Sequence, residues 1–246
     1  MNDFPLTAAF LFPVIAFVYS MAGFAGGSSY LAVLMTSGMP HAEAKTFALF
    51  CNVLVSSVVF FNFSKAGHFR LSLVLPFVLF SMPFAFLGAN VHVAKEISAL
   101  LVGLSLFAAA SRLFVMKASS APKQPPSLRA LWTYGPFLGA GLGFFSGVIG
   151  IGGGIFLSPL LILLGWASLQ EASAAASLFI FLNSLSSLWA KSPDLSFIQG
   201  PFLLTAVAVL VTGWAGSRLG AARLPKTAAR RILAAILAWV GWGLVF

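Results

Sequence analysis

Cysteine, acidic residues and charge in general are scarce in this 246-residue chain. The single cysteine, Cys51, lies inside an apolar run, which excludes an intrachain disulfide and any multi-cysteine metal site. His41, His68 and His92 are loop or boundary residues without metal-ligand spacing. No catalytic triad, zinc motif or phosphate-binding loop is present, so the chain reads as neither an enzyme nor an ATP-driven pump, and no cofactor or metal is expected. The N-terminus carries Asp3 where a signal peptide would carry basic residues, so it does not read as a cleaved leader.

Charged residues make up 8% of the chain, against about 25% in soluble domains. Apolar residues make up 60%, and the mean hydropathy is +1.01. A water-soluble fold of this size has too few charges to cover its apolar surface, whereas lipid tails accept that surface without penalty. The expected class is an all-α polytopic membrane protein with the lipid bilayer as its surroundings. The net charge of +9 does not point to nucleic acid, because the basic residues lie between apolar runs and form no folded basic face.

A crossing helix needs roughly 20 apolar residues. That length predicts segments at 4–22, 24–38, 43–62, 71–90 and 96–116, then a Pro- and Lys-containing linker, then segments at 131–149, 151–166, 171–190, 199–217 and 227–246. The expected organisation is a first membrane repeat over 1–116, a cytoplasmic linker over 117–130 and a second repeat over 131–246. With ten crossings, one side receives Lys65, Arg70, Arg112, Lys117, Lys123, Arg129, Arg218, Arg223, Lys226, Arg230 and Arg231. Only Lys45, Lys95 and Lys191 remain opposite, so the basic side is cytoplasmic and both termini face outward. Treating segments 2 and 7 as hairpins instead places the basic loop 218–231 outside, which makes that the poorer topology.

The two halves resemble one another. GFAGGSSYLAVLMTSG at 23–38 recurs as GIGGGIFLSPLLILLG at 150–165, an offset of 127. Glu43-Ala44 then corresponds to Glu171-Ala172, and Leu87-Gly88-Ala89 to Leu219-Gly220-Ala221. Five crossings per repeat is an odd number, so the copies lie oppositely in the membrane. Inverted repeats are a recurrent architecture of secondary transporters, with substrate near the midplane between the repeats.

Segments 2 and 7 are also broken by glycine. The apolar runs after Gly26-Gly27 and Gly152-Gly153-Gly154 are each long enough for about 16 Å of helix, half the hydrocarbon thickness. The glycines are expected to cross the other half as extended chain. Two half-helices then begin near the midplane with unpaired N–H donors and a partial positive charge, which favours an anion. The competing reading of the glycines is close helix packing, which duplication, shortness and inversion together outweigh.

Several polar residues neighbour these stretches: Ser28, Ser29 and Ser158 beside the glycines, Asn52 with Ser56 on segment 3, and Ser173, Ser177, Asn183 and Ser184 on segment 8. Amide and hydroxyl donors suit an oxyanion that must bind and then leave, although hydrogen bonding between helices explains any one of them equally well. Pro159 is expected to kink segment 7 and turn a freed carbonyl toward the site. Glu43 and Glu171 occupy matched positions at the starts of segments 3 and 8. They read as helix-dipole partners first and as proton-coupling carboxylates second. Lys45 is expected to snorkel to the interface.

The run Gly147-Val148-Ile149-Gly150-Ile151-Gly152-Gly153-Gly154-Ile155-Phe156-Leu157-Ser158-Pro159, with its degenerate N-terminal copy, resembles the TauE/SafE (TSUP) family of sulfite and organosulfonate membrane transporters. The resemblance covers nearly the whole chain. It implies a plasma-membrane secondary transporter of small sulfur-containing anions such as sulfite, thiosulfate or C2 sulfonates, with export as the expected direction. The carry-over falls on Gly152, Gly153, Gly154 and Pro159, and through the repeat on Gly26 and Gly27. Ala25 replaces one glycine and Ala32 stands where Pro159 aligns, so the two half-sites are expected to be unequal. The expected partner is a small anion, nucleic acid is not one, and a homodimer is an assembly open to the chain. Alternatives are a transporter or channel for another small anion, an intramembrane enzyme, or a non-transporting membrane subunit.

Overall fold

In a computed structural model, residues 5–91, 126–192 and 200–222 are described throughout, with individual helical residues between 97 and 111 and between 227 and 242. Eight helices fall within the described residues: α1 (Leu6–Met21), α2 (Gly27–Thr36), α3 (His41–Lys65), α4 (Leu71–Ala89), α5 (Leu128–Ile149), α6 (Gly154–Leu163), α7 (Leu169–Lys191) and α8 (Gly200–Ala222). The expected segments 96–116 and 227–246 and the linker 117–130 lie largely outside the described residues.

The helix ends follow from local chemistry. The α7 helix begins two residues before the expected start because Ser168 and Glu171 form a capping box: Glu171 N–H donates to Ser168 Oγ, and Ser168 N–H donates to Glu171 Oε2 at 2.8 Å. Likewise α5 starts three residues early, where the Ser127 hydroxyl accepts from the Ala130 N–H. Helix α3 carries Glu43 in its first turn and Lys65 in its last, each complementing the helix dipole.

Among the described residues four helices, α3, α4, α7 and α8, are long and apolar enough to cross a membrane. The distribution of side chains is that of a protein in lipid. Phe137, Trp189 and Leu204 are 80%, 77% and 75% exposed, while Asn52, Ser177, Asn183 and Ser184 are fully buried. Apolar outside and polar inside inverts the pattern expected in water. The chain is a multi-pass helical membrane protein.

Helices α3 and α7 pack against each other, and the start of α4 lies at the start of α7, where Arg70 Nη1 meets Glu171 Oε1 at 3.2 Å. Around them α2 packs on α3 and α6 on α7; α1 packs on α8 and α4 on α5; α3 also meets α8 as α7 meets α4. Exchanging each of α1–α4 with its counterpart among α5–α8 leaves this set of pairs unchanged.

The outer pairs approach closely through glycine. On α5, Gly135, Gly139, Gly143 and Gly147 face Pro76, Phe77, Ser81 and Ala85 of α4 in that order, so the two helices run parallel. On α8, Gly216 and Gly220 face the carbonyls of Phe17 and Met21 on α1. A Cβ at Gly135 would collide with the Pro76 ring, and one at any of the others would collide with backbone, the small-residue contact familiar in membrane bundles.

Candidate functional site

Helices α2 and α6 have ten residues each, about 15 Å of rise, and neither spans a bilayer alone. Each is preceded by a glycine in the left-handed region, Gly26 at φ 96° and Gly153 at φ 72°. Only glycine adopts this conformation at low cost, and space reinforces the demand. A Cβ on Gly26 would stand 2.7 Å from Ile15 Cγ2, and one on Gly153 would stand 2.8 Å from Ser146 Cβ. The glycine stretches are therefore turned and compact, in contrast to the extended chain expected from sequence. Backbone bonds such as Phe24 N–H to Tyr19 O at 3.0 Å and Gly154 N–H to Gly152 O at 3.0 Å fold them back.

Among the described residues no side chain caps α2 or α6, although Ser127 and Ser168 cap α5 and α7. The α2 start is nonetheless buried, with Gly27, Ser28 and Ser29 all inside the bundle. Buried helix N-termini without side-chain caps offer N–H donors and a partial positive charge to whatever enters.

Both glycine stretches converge on Asn52. A Cβ built at Gly27 would run into the Asn52 amide, and one at Gly152 would lie 3.2 Å from its Nδ2 and 2.7 Å from Ser184 Oγ. Asn52 is fully buried, and neither amide atom has a hydrogen-bond partner among the described residues. Ser146 Oγ, beside Gly153, and Ser184 Oγ, beside Gly152, are also buried and unpartnered. Buried polar atoms are normally paired, so a cluster of unpaired ones at a helix start stands out.

A cavity of about 10 Å³ lies there, lined by Tyr19, Phe24, Ala25, Gly26, Gly27, Ser28, Asn52, Ile151, Ile155 and Ile180. That volume is room for about one water molecule. None of the lining side chains is charged, so an anion held there would meet only neutral donors.

The residues singled out from sequence divide into four groups. Gly26, Gly27, Ser28 and Asn52 line the cavity, and Gly152, Gly153 and Gly154 form the turn beside it. Ser29 is turned away to bond Tyr19 Oη at 2.7 Å, Ser177 bonds the Ala174 carbonyl of its own helix, and Asn183 donates to the Phe179 carbonyl. Ser158 and Pro159 are buried within α6, which continues through the proline. Glu43 is exposed on the first turn of α3, and Glu171 is committed to its capping box and to Arg70.

Lys45 departs from expectation. It does not snorkel outward but is buried, and its Nζ donates to the Val148 carbonyl at 2.9 Å. The reason is that its stem packs against Gly150, where no side chain stands in the way. Ser173, 128 residues further on, makes the corresponding contact: it packs against Gly23 and donates to the Ala22 carbonyl at 2.8 Å. Sequence reasoning missed Tyr19, Ser146 and Ile180. The repeat offset held the signal, since it relates Asn52 to Ile180 and Tyr19 to Ser146.

A buried, uncharged polar cavity thus lies at the starts of two short helices inside a lipid-facing bundle. The sulfite exporter TauE/SafE family model matches residues 8–244, and the chain belongs to that family. The chain is 30% identical over 243 residues, 96% of either chain, to the "Probable membrane transporter protein y4hK" of Sinorhizobium fredii. No solved structure matches it. The protein is a multi-pass membrane transporter and not an enzyme.

Proposed function

We propose that this transporter carries small sulfur-containing anions, such as sulfite, thiosulfate or C2 sulfonates, out of the cell across the plasma membrane. The anion is held between the starts of α2 and α6, at Gly26, Gly27, Ser28, Asn52 and the Gly152–Gly154 turn. The observation that carries this reading is the fully buried, unpartnered Asn52 amide between two half-helix starts that no side chain caps. Dipoles and neutral donors stabilise an anion without the permanent hold of a fixed Arg. A four-atom oxyanion exceeds the present cavity, so binding requires the two glycine turns or the Asn52 side chain to give way.

The frame around the site is ten crossings in two inverted repeats, 1–116 and 131–246, with both termini outside. The exchange of packing pairs between halves supports it. So do the matched contacts Lys45–Val148 and Ser173–Ala22, each made from one half to the other.

Flux of radiolabelled sulfite, thiosulfate and a C2 sulfonate through proteoliposomes tests the substrate class. At least one should move, driven by a proton gradient or a membrane potential. If none moves under either, the proposal fails.

A further inference from the structure

The cavity wall is divided by the repeat. Phe24 pairs with Ile151 and Ser28 with Ile155 at an offset of 127, and Asn52 pairs with Ile180 at 128; all six line the cavity. The structure places the last pair alike: Asn52 fills the space over Gly27 at the start of α2, and Ile180 fills the space over Gly154 at the start of α6. Where the first half presents a hydroxyl and an amide, the second presents two isoleucines.

From this geometry we propose that Ile155 and Ile180 determine specificity, selecting a small organic anion with one oxyanion head and a short apolar body, an alkanesulfonate in the first instance. The inference rests on the anion site described under the proposed function. An alkanesulfonate carries its three oxygens on one side of sulfur and carbon on the other. Its oxygens meet the Asn52 amide, the Ser28 side and the first N–H groups of α2, while its carbon meets Ile151, Ile155 and Ile180. Sulfite shares that pyramid of oxygens, but it carries a second negative charge and sets a sulfur lone pair where the sulfonate has carbon. That lone-pair face then lies against isoleucine with no donor, after losing the water that had solvated it. A cradle polar on both sides would have treated the two kinds of anion more equally.

The test is the ratio of methanesulfonate to sulfite flux in proteoliposomes of the full chain, measured for wild type, Ile180→Thr and the pair Ile155→Ser/Ile180→Asn. A ratio within one preparation does not depend on how much protein is folded, and Thr keeps the β-branched shape of Ile. Anion-induced thermal stabilisation of the purified variants gives the same comparison without turnover. Wild type should favour methanesulfonate, and each substitution should lower the ratio by about tenfold, the scale at which one pocket group discriminates. A wild type that favours sulfite, or a ratio unmoved by both substitutions, overturns the selectivity while leaving the anion site standing. A wild type that moves and binds neither anion overturns both.

Discussion

Lys45 Nζ donates to the Val148 carbonyl at 2.9 Å, tying the second turn of α3 to the last turn of α5 from 103 residues away. The contact satisfies a carbonyl at a helix C-terminus and sets a cation at the negative end of its dipole. Replacing Lys45 with Met keeps the stem and removes the donor, leaving that carbonyl buried without this partner. We expect a loss of about 1–3 kcal/mol, and a loss of about 1 kcal/mol for Ser173→Ala at the matching contact. Thermal unfolding of the purified protein in detergent measures both. Equal stability of wild type and Lys45→Met would remove the structural role given to this lysine.

Gly153→Val should abolish transport while leaving membrane insertion intact. The side chain would force a strained left-handed backbone and run against Ser146 and Phe179. Gly26→Val should behave alike, since Gly26 has φ 96° and faces Ile15 and Tyr30. Flux and membrane yield, measured together, decide the matter. Normal flux in both variants would return these glycines to a packing role.

Much of this arrangement was legible beforehand, and the exceptions have physical causes. Chain length and hydropathy suffice to find α3, α4 and α7, and the Ser168–Glu171 spacing is itself a capping signal. The glycine stretches also stand out, because they break two apolar runs at the same place in each half. Their backbone is another matter: length alone suggested extended chain, whereas left-handed turns follow from bonds that only the folded segment makes. Asn52 read as one polar residue among many until the structure set it between both turns. Lys45 reads from sequence as an interface residue because it stands near a helix start, while the end of α5 that buries it is remote in sequence.

Glu171→Gln should keep most transport activity. Glutamine still accepts from the Ser168 N–H and loses only the pairing with Arg70, which is partly exposed, so the expected cost is about 0.5–1 kcal/mol. The measurement is flux with and without a proton gradient. Loss of the response to that gradient alone would make Glu171 a coupling residue and displace the capping role.

Cysteine labelling tests the ten-crossing frame. Cys51 is buried and contributes little background, so single cysteines can be added to the native chain. Ser192 and Arg218 are both exposed, and the proposed topology places them on opposite sides. An impermeant maleimide added to intact cells should label Ser192→Cys and spare Arg218→Cys. Labelling of both from outside would rule out the proposed orientation.

Binding of radiolabelled sulfite and methanesulfonate to purified wild type and Asn52→Leu is the most direct measurement of the central claim. Leucine keeps the branched four-atom skeleton and removes both polar amide atoms, which have no other partner among the described residues. If Asn52 and the two half-helix starts hold the anion, affinity should fall by about tenfold or more, the worth of one hydrogen bond to a charged group. Undiminished affinity for both anions in Asn52→Leu would contradict the account.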